Sequence, residues 1–99
     1  MHQIKYMKEK YRVEIIIGHY HIIQQRPPSG FSINIRERNT FEYLIRIDDY
    51  NKPPHLHCGR FNYVNINPAM TLDKAMNILK KHIIKNNKID EEKLYRELL

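Results

Sequence analysis

Ninety-nine residues with seventeen basic and eleven acidic side chains, a net charge of +6 and 41% hydrophobic positions fit one folded domain, residues 1–99, with a single core. No apolar run approaches the roughly 18 residues of a membrane span, and "MHQIKYMKEKYR" lacks the apolar stretch of a secretory signal, so a cytoplasmic location is expected. Cys58 stands alone, which excludes an internal disulfide and a cysteine-built zinc motif, while the basic excess favours a polyanionic partner, nucleic acid or an acidic protein.

The first half of the chain reads as strands. In "YRVEIIIGHYHIIQQR", Tyr11, Val13, Ile15 and Ile17 alternate with Arg12 and Glu14, the period of a half-buried strand. Gly18 interrupts the run, and a bulge there is one reading, which would re-aim the residues after it. "QRPPSG" reads as a breaker, because Pro27, Pro28 and Gly30 do not extend a ladder. A second strand comes next, with Phe31, Ile33 and Ile35 inward and Ser32, Asn34 and Arg36 outward, and "ERNT" turns the chain at Asn39. The third strand, "TFEYLIRID", sets Phe41, Tyr43, Ile45 and Ile47 against Glu42, Leu44, Arg46 and Asp48. "HLHCGRFNYVNI" reads as a fourth extended segment.

Helix chemistry begins after "NPAM". Thr71 is the expected N-cap, with Asp73 in the first turn. Leu72, Ala75, Met76, Leu79 and Ile83 form one apolar stripe, opposed by Lys74, Lys80, Lys81 and Lys85. "KNNK" stops this helix and Asp90 caps a short last one, "EEKLYRELL". The fold class that results is α+β: a small antiparallel sheet of about four strands packed against one main helix, with a short C-terminal helix.

The chemistry concentrates in "DDYNKPPHLHCG", Asp48 to Gly59. On a strand, residues i and i+2 point to one side, so "HLH" aims His55 and His57 into the same region. Cleaving RNA without a metal needs a base for the 2′-hydroxyl, an acid for the leaving oxygen and a cation for the developing phosphorane. His55 and His57 suit the proton transfers, Arg46 the phosphate, and Asp48 the orientation of an imidazole. Pro53 and Pro54 stiffen the approach to the pair, and blunting a sheet edge is their structural alternative. Histidines on a solvated edge are the bland counterpart of the catalytic reading. Arg36, Arg38, Lys52 and Arg60 are the expected nucleic-acid contacts, and Tyr20, Tyr43, Tyr50 and Tyr63 are candidates to stack on bases. A second H-x-H pair, His19 and His21, opens another possibility: His19, His21, His55 and His57 meeting across adjacent strands to hold zinc or a similar metal. The register His19 and His21 share with the apolar residues argues against that, so no metal and no cofactor are expected. Cys58 is expected inside beside Leu56, and His82 is expected to be structural.

The order of these motifs resembles the TumE-like toxin family of prokaryotic toxin–antitoxin pairs. A strand ending "YLIRIDDYN" runs into "KPPHLHCG", and a helix opens with "MTLDKAMNILKKHI"; Arg46, Asp48, His55 and His57 stand at the matching positions. The likeness spans roughly Val13 to Ile84, with "DDYNKPP" where the family more often has an Asp-Asn or His-Gly step. It implies a toxin acting on RNA, held inactive by an antitoxin that is often a helix-turn-helix protein. Lys80, Lys81, Lys85, Arg36 and Arg38 are the exposed cations expected to meet an acidic antitoxin segment. The expected function is therefore a toxin acting as a metal-independent ribonuclease. Two other classes remain open on the residues themselves: a non-enzymatic basic module that binds nucleic acid or protein, and a metal-dependent enzyme built on the two H-x-H pairs.

Overall fold

The computed structural model describes residues 2–7, 11–21, 26–40, 42–49, 53–85 and 89–99, with residues 2, 3, 5–7, 18–21, 26–29, 84 and 85 described by backbone alone. Among the described residues, six strands run in chain order: β1 (His2–Met7), β2 (Tyr11–His21), β3 (Arg26–Glu37), β4 (Ile45–Asp48), β5 (His55–Cys58) and β6 (Phe61–Asn65). Each pairs antiparallel with the next, giving one meandering sheet of order β1-β2-β3-β4-β5-β6. Among the described residues two helices follow, α1 (Leu72–Lys85) and α2 (Glu91–Leu98), so the class is α+β.

The register sorts the sheet's two faces. Ile15, Ile33, Ile47, Leu56 and Val64 stand opposite one another on successive strands, as do Val13, Ile35 and Ile45. These rows meet Ala75, Met76, Leu79 and Ile83 of α1 and Leu94 and Leu98 of α2 in a single core. Burying a side chain of this size contributes about 1.5–3 kcal/mol, so the apolar rows and the α1 stripe hold the helices on one face. Thr71 caps α1 as expected, its Oγ1 accepting from the Lys74 N–H at 3.3 Å, and Asp90 caps α2 through the Lys93 N–H at 3.1 Å. Lys81 donates to Glu97 at 3.0 Å, and buried His82 lies 3.2 Å from the same carboxylate. The two helices are thereby clipped together, and His82 has the structural place expected of it.

Several expectations are corrected. β1 precedes the first expected strand, and the fourth segment is a hairpin, β5 and β6, folded at Gly59 and Arg60. Gly59 has φ 51, a conformation that costs a residue with a Cβ, which is why the chain reverses there. "RPPSG" lies inside β3 rather than breaking it. Ser29 pairs with His19 and Arg26 with His21, with a register shift between, so the intervening prolines supply no ladder N–H. The bulge expected at Gly18 is displaced: the register runs unbroken from Ile17 to His19 and shifts only between His19 and His21. The third strand is only Ile45–Asp48; Tyr43 is 46% exposed rather than in the core, and Phe41 lies outside the described residues. Among the described residues, no helix is long and apolar enough to cross a membrane.

Candidate functional site

The face of the sheet away from the helices carries two polar rows. One reads Glu14, Asn34, Arg46, His57 and Asn62, and the next reads Ile16, Ser32, Asp48, His55 and Asn65. Alternation alone puts these residues on that face. It does not expose them: Ser32 is 1%, Asn34 3%, Asp48 1% and His55 3% accessible, where a solvated face was expected. The short Ser32 and Asn34, joined by a 2.9 Å hydrogen bond, are flanked in the register by the longer Ile16, Asp48, Glu14 and Arg46.

Asp48 is the hub. Its Oδ1 lies 2.8 Å from His55 Nε2 and its Oδ2 accepts from Arg46 Nε at 2.8 Å. The other nitrogen of His55, Nδ1, faces the carbonyl of Pro53 at 3.3 Å. Both nitrogens of this buried ring thus face an oxygen inside the protein. His55 therefore has no free nitrogen for a substrate. His55 was expected to share proton transfer with His57; the structure sets it against Asp48, which in turn accepts from the Arg46 guanidinium.

His57 is different. It is half-buried, and its Nδ1 is 2.7 Å from Asn62 Oδ1, an acceptor that holds the proton on Nδ1 and leaves Nε2 with its lone pair. Asn62 stands opposite His57 because the β5–β6 register shifts by one residue there, Leu56 pairing Val64 and His57 pairing Asn62. The residue between is Tyr63, 53% exposed, with its ring centroid 4.5 Å from His55 and 5.3 Å from His57. The two imidazoles meet edge-on at 5.0 Å.

The prolines serve this arrangement through their carbonyls as well as their stiffness. Pro53 O faces His55, and Pro54 O accepts from the Ile66 N–H at 3.0 Å. On the other side of the loop, Asp49 Oδ1 accepts from the Phe31 N–H at 2.7 Å, tying the end of β4 to β3. Beside the site opens a depression of about 380 Å³ lined by Tyr43, Leu44, Arg46, His57, Cys58, Gly59 and Asn62. Its size falls within the usual range for small-molecule sites. Arg46, whose side chain is 42% exposed, and His57 share this wall, and Tyr43 and Leu44 are exposed apolar rims.

The other expected residues disperse. Arg36 lies half-buried with its guanidinium 5.6 Å over the Tyr43 ring, and Arg38 is exposed in the β3–β4 turn. Arg60 turns from the site toward α2, where it meets Glu92 at 3.2 Å and covers the Phe61 ring. Lys52 lies outside the described residues. The four-histidine metal set is contradicted by topology: β2, which bears His19 and His21, is separated from β5 by β3 and β4. Three strand spacings amount to about 14 Å, so the two pairs do not meet across adjacent strands. Cys58 is buried beside Leu56 as expected, and burial, aided by the charge of Glu91, pushes its thiol up to about 12.

Compared with known proteins, the chain matches no family model, no curated protein and no solved structure.

Proposed function

We propose that this chain is a ribonuclease toxin whose reaction needs no metal, with His57 as the proton acceptor and Arg46 as the phosphate cation. The observation that carries the reading is the pairing of His57 Nε2, left free because Nδ1 is held by Asn62, with an exposed guanidinium in the same depression. A phosphodiester lies across Arg46, whose fork suits two phosphate oxygens. His57 Nε2 takes the proton of the 2′-hydroxyl, and the 2′-oxygen attacks phosphorus. The bond to the 5′-oxygen breaks, and that oxygen takes a proton, for which the half-exposed phenol of Tyr63 is the donor at hand. The products are a 2′,3′-cyclic phosphate and a 5′-hydroxyl. Asp48 and His55 do not touch the substrate; they hold Arg46 against the charge that develops on the phosphorane.

Tyr43 and Tyr63, exposed beside the depression, supply faces on which bases stack. In this reading an antitoxin silences the protein by covering the depression, and acidic groups on it are drawn to the basic surface. The test is incubation of the purified chain with single-stranded RNA in excess chelator, followed by end-group analysis. Cleavage leaving 2′,3′-cyclic phosphate and 5′-hydroxyl ends is expected. Intact RNA, or 3′-hydroxyl and 5′-phosphate ends, would overturn it.

A further inference from the structure

We propose that Asp48, His55 and His57 form a binding site for one divalent transition metal of the zinc class, and that the bound ion switches the site off; the second clause rests on the ribonuclease reading, the first does not. One ligand atom from each of the three residues lies within 4.8 Å of the others. The donors come from two adjacent strands, His55 and His57 two apart on β5 and Asp48 directly opposite His55 on β4.

The outer contacts carry the inference further than proximity does. A ligating histidine usually donates its second ring N–H to an oxygen, which fixes the tautomer. Both rings satisfy this through Nδ1: His55 to Pro53 O at 3.3 Å, and His57 to Asn62 Oδ1 at 2.7 Å. Both therefore present Nε2 as the coordinating atom. Asp48 is oriented in the same way, since Arg46 donates to Oδ2 while Oδ1 faces His55 Nε2.

The Asp48–His55 distance of 2.8 Å is a hydrogen bond. Two ligands each about 2.1 Å from one tetrahedral ion stand about 3.4 Å apart. The pair must therefore part by about 0.6 Å to admit an ion. The step balances simply: a divalent ion enters, the Nε2 proton of His55 leaves to solvent, and no electron moves. Two imidazoles and one carboxylate suit zinc and its neighbours in the first transition row rather than magnesium or calcium, which prefer all-oxygen shells. Three protein ligands leave room for water. His57 Nε2 has a single lone pair, so it cannot both hold an ion and accept a 2′-hydroxyl proton.

The experiment is calorimetric titration of the tag-free chain with zinc chloride, with RNA cleavage as a second readout. One ion per chain is expected. Asn62→Ala should weaken binding about 10–100-fold, the usual cost of losing an outer contact, and His57→Gln should abolish it while the thermal melt stays cooperative. His19→Gln should bind as the parent does. Zinc binding that survives His57→Gln, or is lost with His19→Gln, would overturn the site, as would no binding at all. Saturating zinc should stop cleavage; zinc that stimulates cleavage would overturn the switch. Zinc binding with the expected variant pattern, in a chain that never cleaves RNA, supports the site and fells the ribonuclease reading alone.

Discussion

Asp48→Ala removes the one carboxylate that both His55 and Arg46 use. Asp48 and His55 have side chains only 2% and 4% exposed, so the loss leaves Nε2 of a buried imidazole without the carboxylate it faces. Breaking a buried pair by deleting one partner typically costs about 3–5 kcal/mol. The Arg46 contact adds little, because that side chain is 42% exposed and solvent screens it to about 0–1 kcal/mol. His55 keeps its contact with Pro53 O, which puts the expectation at the low end, about 3 kcal/mol. For a domain of this length each kcal/mol moves the melting temperature by about 4–8 °C, so a fall of about 12–24 °C is expected. Circular dichroism melts of parent and variant measure it directly. Asp48→Asn, which keeps the volume and one acceptor oxygen, should recover part of the loss. A fall below about 4 °C for Asp48→Ala, which is about 1 kcal/mol or less, would refute the view that Asp48 is the hub of the site.

Three further outcomes are expected from the same geometry. With its thiol pushed up to about 12, Cys58 should resist alkylation in the native protein and react only as the chain unfolds; rapid labelling of folded protein would contradict its burial. Glu97 is held below its usual 4.5, chiefly by the hydrogen bond from Lys81; burial opposes this, and His82 adds to the lowering. Its ionised form thus contributes stability that is full above the unfolded value and fades as pH falls through the folded one. Glu97→Gln should be less stable than the parent near neutrality and equal to it in strong acid, as urea midpoints would report; a pH-independent difference would argue against the clip. Gly59→Ala forces a Cβ onto φ 51 and toward the Glu91 carboxylate, and should cost about 1 kcal/mol; an unchanged or raised urea midpoint would show the turn to be unstrained.

The parts of this fold that could be read in the sequence are those where one physical pattern acts alone. The alternation of Val13 and Ile15, and of Phe31, Ile33 and Ile35, marks β2 and β3 because one face is apolar and meets helices. The stripe from Leu72 to Ile83 and the caps Thr71 and Asp90 mark α1 and α2 for the same reason. Where two constraints compete, the pattern fails. Tyr43 has inward parity but precedes the start of β4, and its hydroxyl lies 3.4 Å from Glu14 on the polar side. Ser32, Asn34 and Asp48 have outward parity yet are buried, because alternation names a face and not what stands beside each residue on it.

The candidate site divides along the same line. Arg46, Asp48, His55 and His57 do come together, since "RID" and "HLH" lie on neighbouring strands in register. The roles within the group were hidden: the sequence treats the two histidines alike, and only the oxygens on Nδ1 and Nε2 separate a braced ring from an open one. Asn62 carried no signal, because its place opposite His57 depends on a one-residue shift in β6. Tyr63 was legible as a stacking candidate but not as the ring that touches both imidazoles. Arg60 looked like a phosphate contact from its closeness to "HLHCG", yet the hairpin turn sends it to Glu92.

The central claim, that His57 moves the proton while His55 only braces, is tested most directly by single-turnover cleavage of RNA in chelator by His57→Ala. The account predicts a rate lower by about 10²–10⁴-fold, with a melting temperature close to that of the parent, since His57 gives up one hydrogen bond worth about 0.5–1.5 kcal/mol. Cleavage at the parental rate by a folded His57→Ala would contradict it.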